Sequence, residues 1–464
     1  MKKEDLFEIL ADIDEKSVEE AQHFHVEKKS KRKNRAFYGT LAALVLLVIV
    51  GIPILGKITR SSTVMKVLAA GPEKVSKNDD YRNWLDEQGT KAREALPLSR
   101  GTSSYSASLM KEVLTVKDEN TVCSPFNTYL AFAMLAETCE GNTRQQILDM
   151  LGAEDLETVR KTVNALWEAN AANTPILQCF LANSLWLNNE IAFNETTLKT
   201  LAEQYHASSF RGVAGSDRMN KALQDWTNDA TGGLLADYVK DLKTTPDTVM
   251  ALLSTLYFKG EWDAPFREEA TKPAVFHGAK GDTQVQMMHK TVSSYAVNDG
   301  WSAVRLPLKG ERSMIFCLPA EGTDVNSLLD DSSVLQLTGW EKSPWEYSSV
   351  YLSLPKFKVS AKTDLLPVLE ALGVTDALDP AKADFSPLTE DPLPLSVGKA
   401  EHAAMVEIDE AGVTGAAYTE IDIQKQAVID SRPIELTFDR PFLFMVTGAD
   451  GSILFAGVVR NITE

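Results

Sequence analysis

Residues 36–56 read AFYGTLAALVLLVIVGIPILG, 21 consecutive positions without a charged side chain. As an α-helix rising about 1.5 Å per residue this run would extend roughly 31 Å, close to the ~30 Å hydrocarbon thickness of a bilayer. It follows KKSKRKNR, residues 28–35, in which six of eight side chains are Lys or Arg, whereas only Lys57 and Arg60 stand just beyond it. The spacing predicts a transmembrane helix over 36–56. The charge asymmetry predicts a cytoplasmic tail over 1–35 and the rest of the chain outside the cytoplasmic membrane. A cleaved signal peptide fits less well, because its apolar region would be about 7–15 residues and LAAG at 68–71 lies too far downstream for its cleavage site. A buried core helix is the other alternative. The first 27 residues read as a short acidic amphipathic helix or a solvated tail; His23 and His25 there lack the partners a metal site needs.

Residues 57–98 are polar and charge-rich, the pattern of a linker or stalk, and the globular part is expected over 99–464. There, helical spacing in TYLAFAMLAETCEGNTRQQILDML alternates irregularly with strand-like runs such as ILQCFLANSLWLN, VMALLSTLYFKGEW and VYLSLPKFKV. The pattern excludes a doubly wound sheet and points to a mixed α+β fold. The net charge of −18 argues against nucleic acid as a partner. Cys123, Cys139, Cys179 and Cys317 sit in apolar contexts without close pairing, which favours buried free thiols over disulfides or nucleophiles. No GxSxG elbow, HExxH, phosphate-binding loop or dinucleotide fingerprint is present. The residues therefore give no support to an enzyme, a metal or a cofactor, and His402 alone among Ala403, Ala404 and Met405 reads as a hydrogen-bonded core histidine.

The stretch EAGVTGAAYTEIDI, 410–423, combines loop composition with strand alternation. Val413, Gly415, Ala417, Thr419, Ile421 and Ile423 share one face, and Thr414, Ala416, Tyr418, Glu420 and Asp422 share the other. Burying Val413, Ile421 and Ile423 as part of a strand would contribute roughly 5–9 kcal/mol.

Several ordered motifs are similar to one family. CSPFNTYLAFAMLAETCEGNTRQQILDML, WTNDATGGLL, LYFKGEWDAPF, LPLKGERSMIFCLP, LPKFKVSAKTDLLPVLEALGV, DEAG and FDRPFLFMV with ILFAGVV resemble the serpins over about residues 100–464. The resemblance implies large mixed β-sheets with about eight to nine helices. It implies a suicide-substrate inhibitor of a serine protease, or alternatively a cysteine protease, and not an enzyme. In that mechanism the cut reactive loop enters the central sheet as an extra strand, which accounts for a strand pattern in a loop. The implied hinge comprises Glu410, Gly412, Val413, Thr414, Gly415, Ala416 and Ala417. The implied reactive bond joins Gln426 to Ala427, with cleavage after Lys425 as the alternative. A polar cluster at the sheet opening maps to Ser124, Asn127, Ser254 and His402, and the breach tryptophan to Trp262. The sequence departs from the usual hinge at Val413, Gly415 and Tyr418. A non-inhibitory carrier remains the second reading, and a monomer with the target protease as its covalent partner is expected.

Overall fold

The computed structural model describes residues 41–51, 66–69, 81–174, 176–339, 344–412 and 434–462. Among them are eleven α-helices and two β-sheets. The first sheet contains β1 (Leu41–Gly51), β2 (Lys66–Ala69), β4 (Ala172–Asn173), β5 (Leu177–Asn188), β6 (Ala207–Gly212), β7 (Thr248–Gly260), β13 (Phe357–Asp364) and β14 (Leu395–Ile408). Its order is β13-β14-β1-β7-β5-β6-β2, with β4 beside β5. The second comprises β3 (Thr121–Cys123), β8 (Lys272–Gly278), β9 (Gly281–Val297), β10 (Trp301–Leu308), β11 (Arg312–Pro319), β12 (Glu346–Pro355), β15 (Ile434–Thr437), β16 (Phe442–Thr447) and β17 (Ile453–Val459). It runs β15-β12-β9-β10-β11-β16-β17-β3, with β8 paired to β9. The mixed α+β expectation holds, with more helices than the eight or nine expected.

Within the run expected as a transmembrane helix, the described residues form β1. Residues 41–51 form a strand, and its neighbours at 36–40 and 52–56 lie outside the described residues, as does the expected tail. Among the described residues no helix is long and apolar enough to cross a membrane. The strand is antiparallel to both neighbours, so β14 and β7 run parallel to each other on either side of it. Leu41 faces Val406 and Phe258, Val45 faces His402 and Ser254, and Leu47 faces Ala400 and Leu252. A bulge near its end breaks the register beyond Val48 on one side and Ile49 on the other. Gly398 accommodates it: a Cβ there would lie 2.5 Å from the Val50 side chain.

A centre-sheet strand covered on both faces needs apolar residues at every position, not at alternate ones. Leu41, Ala43, Val45, Leu47 and Ile49 join the main core, which includes helix Pro125–Glu137. Ala42, Leu44, Leu46 and Val48 join a second apolar layer with Trp186, Met219 and Leu223, the last two from helix Asp217–Ala230. An unbroken apolar run therefore suits this position as well as it suits lipid, and period alone does not separate the two. Burial of Leu41, Leu44, Val45, Leu46, Leu47, Val48 and Ile49 contributes about 10–20 kcal/mol before conformational entropy is set against it.

The far end of the expected linker also belongs to the domain. Helix Tyr81–Gly101 runs through residue 98 and buries Trp84, Ala92 and Ala95.

Candidate functional site: the gap between two parallel strands

The strands β14 and β7 frame the site, and a turn at the end of β14 directs the chain beyond it. After Ile408 the backbone reverses at Asp409–Gly412, closed by Gly412 N–H donating to the Asp409 carbonyl at 3.3 Å. Asp409 and Gly412 form an antiparallel bridge, and Gly412 bridges also to Glu261. Gly412 has φ +96°, and a Cβ there would sit 2.4 Å from the Trp262 nitrogen, so glycine is needed both for the backbone angle and for the approach.

Trp262 is 1% exposed and clasps this turn. Its Nε1–H donates to the Asp409 carbonyl at 3.0 Å, and its backbone N–H to the Ala411 carbonyl at 3.2 Å. Phe266 meets the indole edge-on and gives its own N–H to the Glu410 carbonyl at 2.8 Å. Glu410 pairs with Lys356 at 2.6 Å and accepts from Thr271 Oγ1 at 2.7 Å. Burial opposes ionisation of that carboxyl, but the lysine and hydroxyl partners hold it below its ordinary value. Asp409 behaves oppositely. Burial pushes it up to about 6, with Glu410 and Glu407 adding to the effect and the N–H of Ala411 opposing it.

The four polar residues Ser124, Asn127, Ser254 and His402 meet beneath the middle of the gap, all buried. Ser124 caps helix Pro125–Glu137 by accepting from Asn127 N–H at 3.1 Å, and its hydroxyl donates to the Leu454 carbonyl at 2.6 Å. Asn127 Nδ2 donates to Ser254 Oγ at 2.6 Å. His402 Nε2 accepts the Ser124 N–H at 2.9 Å, while Nδ1 lies 2.8 Å from the Leu44 carbonyl. A carbonyl only accepts, so these partners assign the proton to Nδ1. A second proton would have to enter Nε2 against an N–H donor. Burial is the main reason that the pKa falls to about 4, with the Leu44 carbonyl pulling the other way.

Thus Glu410, Gly412 and Trp262 come together at the turn, and the polar cluster lies along the gap. Val413, Thr414, Gly415, Ala416, Ala417, Lys425, Gln426 and Ala427 lie outside the described residues. The DEAG motif includes Asp409, but no local pattern marks Thr271 and Lys356 as partners of Glu410. The larger omission was the occupant of the gap. Nothing in periodicity distinguishes a centre-sheet strand from a bilayer span.

All four cysteines are buried and free. Burial raises every one of their thiol pKa values, which disfavours the thiolate a nucleophile requires. Among the described residues no His, Cys, Asp or Glu cluster could hold a metal.

Residues 100–462 match the family model described as Serpin (serine protease inhibitor). The chain is 30% identical over 400 residues to alpha-1-antiproteinase of Rattus norvegicus, covering 82% of this chain and 93% of the relative. It is 29% identical over 358 residues to the serine protease inhibitor of Cyanea capillata, covering 74% and 93% respectively. Among solved structures it resembles the thermophilic serpin tengpin in the native state, with a TM-score of 0.70, 24% identity, and coverage of 86% of this chain and 100% of that one. Human thyroxine-binding globulin is similarly related in fold, with a TM-score of 0.69, 24% identity and coverage of 80% and 100%. The match of most of the chain to the family model, together with relatives of this identity and coverage, places the protein in the serpin family of protease inhibitors, which are not catalytic enzymes.

Proposed function

We propose that this serpin inhibits a serine protease as a suicide substrate, with a cysteine protease as the alternative target. The protease nucleophile gives up its proton and attacks the carbonyl carbon of Gln426 or Lys425, the C–N bond to the next residue breaks, and that residue's amine leaves after taking up the proton. Insertion of the freed loop then competes with water for the acyl-enzyme. The observation that carries this reading is the gap itself: β14 and β7 hold between them a strand antiparallel to both. The chain reverses beside that gap at Asp409–Gly412, the direction an entering loop requires.

Incubation with trypsin-like proteases tests it through a covalent complex that survives boiling in detergent. Val413→Arg would place an unpaired charge in the sheet interior on insertion, at a cost of several kcal/mol. It should be cut as an ordinary substrate, whereas Thr414→Arg, on the other face, should keep most of the inhibition. Equal inhibition by both variants would defeat the insertion reading.

Occupation of the gap by residues 41–51 favours a second reading, a non-inhibitory serpin acting as a binding or carrier module. As to location, we propose that residues 36–56 anchor the chain in the cytoplasmic membrane when they are out of the sheet, with the tail inside and the inhibitor domain outside. The charge asymmetry around that run supports this orientation. Protease added to intact cells should release a soluble fragment beginning between residues 57 and 100; release only from inside-out vesicles would reverse the topology.

A further inference from the structure

We infer that the gap between β14 and β7 is a strand-binding site with two rival occupants in this chain, residues 41–51 and the reactive loop, and that membrane uptake of the first opens it to the second. The inference rests on the inhibitory and membrane readings above.

The register shows how directly the two compete. Leu41 stands opposite Val406 in β14. Carrying the Asp409–Gly412 pairing onward would set 413 against 408 and 415 against 406, so Gly415 would take the place of Leu41. Ala416 and Ala417 would then occupy the positions of Ala42 and Ala43, which the same residue type fills in β1. Ile421 would replace Leu47 in the main core. On the other face Glu420 and Asp422 would replace Leu46 and Val48, which are 1% and 4% exposed in the layer with Trp186, Met219 and Leu223. The segment 41–51 is apolar on both faces and the loop only on one. The first is therefore the better occupant, and the loop gains the site only when another apolar phase takes the first away. A bilayer is such a phase, and residues 36–56 have the length for it. The two uses exclude each other because a strand bonded on both sides cannot also be a lipid-spanning helix. Attached to membrane, the chain has an open gap; detached, it holds its gap closed and is inert as an inhibitor.

The test uses the full chain carrying Ala43→Cys and Ala404→Cys. These residues face each other across β1 and β14 and lie in the same apolar layer. Facing residues in an antiparallel pair lie about 4.5–5.5 Å apart, within the span a disulfide bridges. The probe is a labelled synthetic peptide copying residues 413–423, its uptake read on a native gel. Lipid-free wild-type chain should take up none, and the same chain in phosphatidylcholine–phosphatidylglycerol vesicles should take it up to saturation. The oxidised pair should refuse it in both settings, and reduction before reconstitution should restore uptake in vesicles. Val45→Pro, which removes a ladder hydrogen bond from a central strand yet is tolerated in membrane helices, should admit the peptide without lipid. Failure of the disulfide to form in lipid-free chain would overturn the inference, and so would peptide uptake by the oxidised pair equal to that of the reduced one. Uptake by wild type that ignores vesicles would overturn it too. The expected uptake pattern without a trypsin complex in vesicles still supports the two-occupant site and defeats only the inhibitory reading.

Discussion

Leu47 and Leu252 face each other across β1 and β7, both fully buried in the main core. If residues 41–51 belong to the folded sheet, Leu47→Ala removes buried apolar volume and leaves a cavity in its centre, at a cost of about 2–5 kcal/mol. Leu252→Ala should cost a similar amount. Because the side chains share the space between the strands, the double variant should lose less than the two singles together, with a coupling on the order of 0.5–3 kcal/mol. Guanidinium unfolding of lipid-free chain, followed by tryptophan fluorescence and far-UV circular dichroism, gives each stability, and coincident transitions show that one free energy describes the unfolding. An unchanged midpoint for Leu47→Ala would show that the segment is not in the sheet. A coupling of zero beside two large single costs would mean that both residues are buried but not against each other. Either result refutes the register described above.

Gly412→Ala should destabilise the chain by about 1–3 kcal/mol and shift Trp262 emission, since it forces a left-handed alanine against the Trp262 nitrogen; an unaltered thermal midpoint and spectrum would count against the clasped turn. Asp409 is held above its ordinary value, so the folded state retains a proton that the unfolded chain has lost. Its penalty is absent below about pH 4 and fully present above about pH 6, and Asp409→Asn should stabilise by about 1–2 kcal/mol, after solvent screening, at pH 7.5 but not at pH 4. His402 has the opposite sign, because its folded pKa is depressed to about 4. In the Asp409→Asn background, stability should fall as the pH drops from about 6.5 towards 4, and His402→Gln should flatten that slope.

The motifs at Ser124–Asn127, Trp262 and Asp409–Gly412 were legible because each pairs a local requirement with an unusual residue: a helix cap, a bulky indole at a strand end, a glycine at positive φ. The strand runs ILQCFLANSLWLN and VMALLSTLYFKGEW were legible from their β-branched and aromatic content. The N-terminal strand was not, because hydrophobicity reports that a segment leaves water and not where it goes. Val45, Val48, Ile49 and Val50 are β-branched, a hint of strand that the length of the surrounding apolar run outweighed. The partners of Glu410 were hidden for a different reason. Lys356 and Thr271 are distant in sequence, and only the pairing of sheets brings them to the turn.

The order in which the ribosome delivers the pieces of the first sheet gives β1 a temporal role. Its walls come much later: β7 ends at Gly260 and β14 at Ile408. At about 5–20 residues per second, roughly 20–70 s separate synthesis of residue 51 from completion of the second wall. Throughout that interval an 11-residue apolar strand has no place in the sheet to occupy. Any bilayer or chaperone within reach has first claim on it, and slowing translation between residues 51 and 408 should shift newly made chains toward whichever partner is present early. Competition for this strand therefore begins during synthesis, before residues 413–427 have been made.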